Sequence, residues 1–188
     1  MPNLVAISGS LRAKSFNTML ANAARELAPT GTTIEVCTIH GIPLYDGDVE
    51  ASSGIPPAVD TLRAKIVAAD GLILVSPEYN NSMPGVLKNA IDWLSRPPAD
   101  IGRVFGGRPI GVFGATPGMG GTSLAQIGWL QVIRTLGTIP YFGGRLLVSG
   151  AAKVFDDQGA LIDANVRAQL EKYLAGFASF VTTHRKQS

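Results

Sequence analysis

Four short runs of the chain are apolar from end to end and stop abruptly at serine, glycine or proline. They read NLVAIS, GLILVSP, RPIGVFGA and RLLVSG, starting at Asn3, Gly71, Arg108 and Arg145. A strand with one wet face alternates apolar and polar residues, whereas an unbroken apolar run is buried on both faces, as in a parallel sheet. A fifth run, TTIEVCTI from Thr32, is weaker and more alternating, which places it nearer a sheet edge. Helical spacing fills the gaps. Leu20, Ala23, Ala24 and Leu27 share one face of a helix over 16–27. Val59, Leu62, Ile66 and Ala69 do the same over 57–69, where Pro57 suits a first turn. Pro84 marks a third start, ahead of Leu87, Ala90, Ile91 and Leu94. Leu124, Ile127, Ile133 and Leu136 mark a fourth helix, and Val166, Leu170, Tyr173, Leu174 and Phe177 the last. Strand and helix alternating five times predict an α/β fold with a doubly wound, five-stranded parallel sheet in three layers. The expected organisation is one domain over 1–188. The irregular stretch HGIPLYDGDVEASSGIPP, residues 40–57, is too long for a simple connection and reads as a functional or interface loop.

Composition narrows the function classes. With 46% apolar and 16% charged residues, the chain has the makings of a real core. Its formal charge of +2 comes from cations spread along the sequence, which argues against a nucleic acid or a membrane surface as partner. The single cysteine, Cys37, excludes an internal disulfide framework and a thiolate metal cluster within one chain. No leader pattern and no run of membrane-spanning length is present. The expectation is a soluble protein of a reducing compartment, the cytoplasm.

In doubly wound sheets, ligands bind beyond the carboxyl ends of the strands, where strand order reverses. The loops after the first, third and fourth strands are therefore the candidates: SGSLRAKSFN, SPEYNNSMPG and GATPGMGGTS. The first contains neither the dinucleotide-binding G-x-G-x-x-G nor the P-loop pattern. It offers instead the hydroxyls of Ser8, Ser10 and Ser15, the guanidinium of Arg12 and the N–H groups of a helix start, which suit one compact terminal phosphate. The alternative is that Ser15 or Asn17 caps the helix and Arg12 is solvated. The second loop supplies Glu78, Tyr79, Asn80 and Asn81, or is a plain turn with Ser82 as a cap. In the third, Gly118, Gly120 and Gly121 leave room for a flat ligand near the backbone. A planar ring between the second and third loops, with a phosphate in the first, describes a flavin mononucleotide.

The segments GSLRAKSFN, IPLYDGDVE, SPEYNNSMPGVLKNAIDWLSRP and GATPGMGGT resemble the NADPH-dependent FMN reductase family, with bacterial quinone and chromate reductases as the nearest branch. The resemblance runs from Leu4 to about Leu174. It implies a flavodoxin-like fold with strand order 2-1-3-4-5, tightly but non-covalently held FMN, NAD(P)H as co-substrate, and dimers that pair into tetramers with FMN near a subunit boundary. By position, Ser10, Arg12, Ser15, Phe16 and Asn17 match the family's phosphate loop. Pro77, Glu78, Tyr79 and Asn80 match the segment along the isoalloxazine ring, and Thr116 and Gly118 fall in the fourth-strand loop. Thr116 replaces a common serine, and Asn81 stands where an aromatic residue is frequent. Because the flavin carries the chemistry, no catalytic acid or base and no metal ligand is expected. Quinones, chromate, azo or nitro compounds and free flavin are the acceptors implied.

Two other classes compete: a flavodoxin-like electron carrier that docks with partner proteins, and a nucleotide-binding sensor without turnover. Carriers usually rely on an asymmetric, often strongly acidic surface for steering, and a nearly neutral, slightly basic chain argues against that. Cys37, Trp93 and Trp129 are expected to be packing residues, His40 a loop residue and His184 solvated. The helix SLAQIGWLQVIRTLG is apolar on more than one side and reads as a subunit contact.

Overall fold

The computed structural model describes residues 1–184. Strands β1 (Asn3–Ser8), β2 (Thr33–Thr38), β3 (Gly71–Val75), β4 (Pro109–Ala115), β5 (Ile139–Pro140) and β6 (Leu147–Val148) are all parallel, in the order β2-β1-β3-β4-β5, with β6 also on β4. Helices α1 (Phe16–Glu26), α2 (Gly47–Ser53), α3 (Pro57–Ala68), α4 (Gly85–Leu94), α5 (Ile101–Val104), α6 (Ser123–Thr135) and α7 (Ala164–His184) complete the fold. The order reverses between β1 and β3, as a doubly wound sheet requires.

Alternation along the buried strands sends neighbouring side chains to opposite layers. Leu4 and Ala6 of β1 join Leu20 and Ala24 of α1 and Leu174 and Phe177 of α7 on one face. Val5 and Ile7 join Leu62 and Ile66 of α3, Leu87 and Ile91 of α4, and Trp129 and Ile133 of α6 on the other. Trp93 and Trp129 are fully buried, as expected. Strand β2 carries the mixed exposure of an edge. No helix among the described residues is long and apolar enough to cross a membrane.

Two features differ from the expectation. The fifth strand is broken. Its halves pair with the two ends of β4, Ile110 with Pro140 and Gly114 with Leu147. While β4 advances four positions the outer chain advances seven, so the segment between Pro140 and Leu147 bows out of the sheet. Tyr141 anchors the bow: its ring packs 5.3 Å from Tyr173 and 5.6 Å from Phe177. The run RLLVSG is therefore only partly strand. The long loop 40–57 also holds a helix, α2, which buries none of its residues and so leaves no apolar period to read. Asp46 caps it, accepting the Asp48 N–H at 2.9 Å. Glu50 then holds the loop to the end of α4, accepting from Arg96 Nε at 2.8 Å and from the Tyr45 hydroxyl at 2.9 Å.

Candidate functional site

The parallel arrangement brings the ends of β1, β3 and β4 side by side, and their three loops enclose a cleft. Ser10, Arg12, Ser15, Phe16 and Asn17 line it from the first loop, and Pro77, Glu78 and Tyr79 from the second. Ala115, Thr116 and Pro117 close the third side. Nine of the eleven residues picked from the sequence thus meet in one place. Asn80 and Gly118 stand outside the lining. Ala115 and Pro117 were not anticipated, since apolar residues at a strand end carry no signal of a ligand.

In the first loop, the single glycine answers to packing. A Cβ on Gly9 would lie 2.6 Å from Leu87 Cδ2 and 3.0 Å from Pro77 Cδ. Gly9 thereby lets the first loop run tight against the second, and its N–H bonds to Val75 O at 2.9 Å. Ser15 is the helix cap: its Oγ accepts the N–H groups of Asn17 and Thr18 at 3.2 and 3.4 Å. Ser10 Oγ accepts the Arg12 N–H at 3.2 Å. Both serines are buried, and each hydroxyl retains its proton to donate. Arg12 is exposed but folded back: it donates to Lys14 O at 2.7 Å and lies over the Phe16 ring at 5.5 Å.

Two polar residues of this loop face inward. Ser8 Oγ bonds Thr18 Oγ1 at 2.7 Å within the core and takes no part in the cleft. Asn17 is buried, and its amide is engaged with the backbone of Ala115 through Nδ2 and Oδ1. Its side chain ties α1 to the end of β4 and forms a wall.

The second loop is a two-residue hairpin. Tyr79 and Ser82 exchange both backbone hydrogen bonds at 3.0 Å, and Asn80 and Asn81 have φ of 50° and 60°. Two consecutive left-handed residues are what a type I′ turn demands, and asparagine tolerates that region best after glycine. Ser82 belongs to this turn and does not cap α4, whose N-cap is Pro84. Glu78 reaches the helix that follows the third loop: its Oε2 accepts the N–H groups of Leu124 and Ala125, in the first turn of α6, at 2.9 and 3.0 Å.

The third loop is held by β6 and the chain just beyond it. Thr116 N–H donates to Val148 O at 2.9 Å, and Ala151 N–H to Thr116 O at 3.0 Å. Thr116 Oγ1 accepts the Gly118 N–H at 3.4 Å. Gly114 is obligatory beside it, because a Cβ there would lie 1.9 Å from Ser76 O.

Outside the cleft, His40 bonds Leu11 O at 3.2 Å, and His184, exposed at the end of α7, stacks on Phe180 at 4.1 Å. Burial pushes the Cys37 thiol up from its ordinary pKa, which keeps it protonated and inert. No group of His, Cys, Asp and Glu among the described residues is arranged to hold a metal.

The cleft therefore offers hydroxyl donors and a guanidinium at one end and backbone with one aromatic ring at the other. That donor set fits a monophosphate joined to a flat ring. Comparison with known proteins agrees with this chemistry. The NADPH-dependent FMN reductase family matches residues 2–153. An NAD(P)H-dependent FMN reductase of Pseudomonas aeruginosa is 43% identical over 95% of this chain and 94% of its own length. A quinone reductase of Escherichia coli is 36% identical over 95% and 94%. The structure of a flavoenzyme NAD(P)H:(acceptor) oxidoreductase from Paracoccus denitrificans superposes with a TM-score of 0.87, at 28% identity, over 99% of this chain and 100% of that one.

Proposed function

The chain belongs to the NADPH-dependent FMN reductase family, and we propose that it is an FMN-dependent NAD(P)H oxidoreductase that passes two electrons to quinones and similar small acceptors through the cleft described above. The observation that carries this reading is the convergence of three loops, contributing residues within 10–17, 77–79 and 115–117, on a single polar-to-aromatic cleft. The relatives compared are reductases, which disfavours the electron-carrier alternative.

The chemistry that bound FMN would supply is acceptance of a hydride from the nicotinamide and delivery of two electrons to the acceptor. The chain supplies the seat. Ser10 and Ser15 would hydrogen-bond the terminal phosphate through their hydroxyls, and Arg12 would pair with its charge. Pro77, Glu78 and Tyr79 would line the ring side of the seat, with Thr116 across from them, while Asn80 and Gly118 stand outside the lining. Tyr79 is 46% exposed, so this side of the cleft is open to solvent and to a visiting nicotinamide or acceptor. Asn17 holds the wall between the phosphate and ring ends. Glu78, the cleft's carboxylate, is engaged by two backbone N–H groups, which supports a positioning role over proton transfer.

A homodimer or homotetramer working in the cytoplasm completes the proposal. Along α6, Leu124, Ile127 and Leu130 are exposed at 45, 62 and 41%, and Ile127 and Leu130 line an apolar groove with Phe142, exposed at 73%. A clean monomer by gel filtration at micromolar concentration would count against assembly. The activity is tested by mixing the protein anaerobically with FMN and NADPH or NADH. Rapid bleaching of the flavin, followed by reoxidation on adding a quinone, is expected. Bleaching that needs a separate reductase would return the reading to an electron carrier.

A further inference from the structure

We propose that Glu78 sets the ring side of the cleft by its bond to the first turn of α6, and that its negative charge lowers the reduction potential of the FMN held there. This inference rests on the FMN reading above.

Helix α6 begins without a cap of its own. Thr122, at its N-cap, makes no capping bond, and its Oγ1 accepts from Gln126 Nε2 at 3.0 Å instead. Two N–H groups of the first turn, those of Leu124 and Ala125, are satisfied by the Glu78 carboxylate, 46 residues before Leu124. That bond joins the loop after β3 to the helix after β4. Glu78 lies between Pro77 and Tyr79, which both line the cleft, so the bond fixes where the ring-side backbone runs.

The charge is the second half of the argument. Glu78 is in no ion pair among the described residues. Its compensation comes from the α6 N-terminus, roughly half a positive charge. Among the described lining residues the guanidinium is that of Arg12, which belongs to the phosphate end. The ring end therefore keeps net negative character. Reduction adds negative charge to the flavin ring, and a nearby carboxylate opposes it.

Two variants of the full chain separate position from charge. Glu78→Gln keeps an acceptor oxygen for the two N–H groups and removes the charge. Glu78→Asp keeps the charge and shortens the reach. Three quantities are measured: the Kd for oxidised FMN by fluorescence quenching, the flavin midpoint potential against reference dyes, and the melting temperature of the apoprotein. Glu78→Gln is expected to bind oxidised FMN within about threefold of wild type. It should also favour reduced over oxidised FMN by about tenfold more than wild type, a rise of about 30 mV for a two-electron couple. Glu78→Asp is expected to weaken oxidised FMN about tenfold with its potential unchanged. A wild-type potential in Glu78→Gln overturns the electrostatic half, and wild-type FMN affinity in Glu78→Asp overturns the positioning half. Melting temperatures that fall in both variants with affinity and potential unmoved reduce Glu78 to a helix cap. Wild-type protein that binds no FMN overturns the cofactor reading, and this inference with it.

Discussion

Asn17 and Ala115, 98 residues apart, are joined by a pair of hydrogen bonds: Asn17 Nδ2 donates to Ala115 O at 2.8 Å, and Ala115 N–H donates to Asn17 Oδ1 at 2.9 Å. The side chain behaves as one more residue of β-ladder, sealing the first loop to the third from beneath. Asn17→Asp places a carboxylate oxygen against a carbonyl in a buried site. It should destabilise the protein by about 1–3 kcal/mol in urea unfolding, with Asn17→Leu costing a similar amount. A change under about 0.5 kcal/mol, the size of an ordinary surface substitution, would remove Asn17 from the framework.

Arg12→Ala tests the phosphate seat. Losing a charge-assisted contact should raise the Kd for FMN about tenfold or more. At saturating FMN the turnover number should stay within about threefold, since Arg12 lies at the phosphate end. Stopped-flow turnover and FMN titration separate the two, and unchanged FMN affinity sinks the assignment.

Gly9→Ala should cost about 1–3 kcal/mol, because the new methyl meets Leu87 Cδ2 at 2.6 Å. The cost should shrink in a Leu87→Ala background, where the obstructing methyl is gone. A double-mutant cycle by thermal or urea unfolding gives the coupling, expected at about 0.5–3 kcal/mol for groups in contact. Simple additivity would refute the contact argument.

The hairpin predicts an asymmetry between glycine and branched residues. Asn81→Gly should leave stability within about 0.5 kcal/mol, while Asn81→Val should cost roughly 1–2 kcal/mol for its left-handed φ. If valine were tolerated as well as glycine, the type I′ turn would not be holding the loop.

The loop clamp predicts a pH dependence. The Arg96 bond chiefly, with a further contribution from the Tyr45 hydroxyl, holds the Glu50 carboxyl below its usual range. A depressed folded-state pKa gives stability that is complete above the unfolded value, about 4.3, and is lost as pH falls through the folded value. Wild type should therefore melt higher than Glu50→Gln at pH 7, and the gap should close towards pH 3. A gap that persists at low pH would show that charge is not what Glu50 contributes.

The sequence carried the sheet and its helices because burial on two faces writes itself as unbroken apolar runs, and Trp93 and Trp129 as core followed from the same logic. The fifth strand was legible only in part. Apolar composition marked RLLVSG, but the bow before it is fixed by where Tyr141 finds its aromatic neighbours, a long-range matter. Helix α2 was hidden for the opposite reason, being polar on all sides and held by a cap and a clamp. In the cleft, residue type pointed to Ser10, Arg12 and Ser15, and all three line it. It could not tell that Ser8 and Asn17 spend their polar atoms on partners inside the fold. Asn80 and Asn81 did carry a local signal, that of a left-handed turn, alongside their reading as ligand donors.

The interrupted fifth strand also bears on how the chain keeps company with copies of itself. An open sheet ends in a row of unpaired N–H and C=O groups that invites a foreign strand, and the hazard grows with the length of straight edge on offer. Here the outer chain touches β4 for two residues, leaves, and returns for two more. No continuous ribbon remains on that border for a stranger to zip onto. Association on this side is steered away from backbone templating, the route to fibrils, and towards side-chain recognition, where shape and sequence decide the partner.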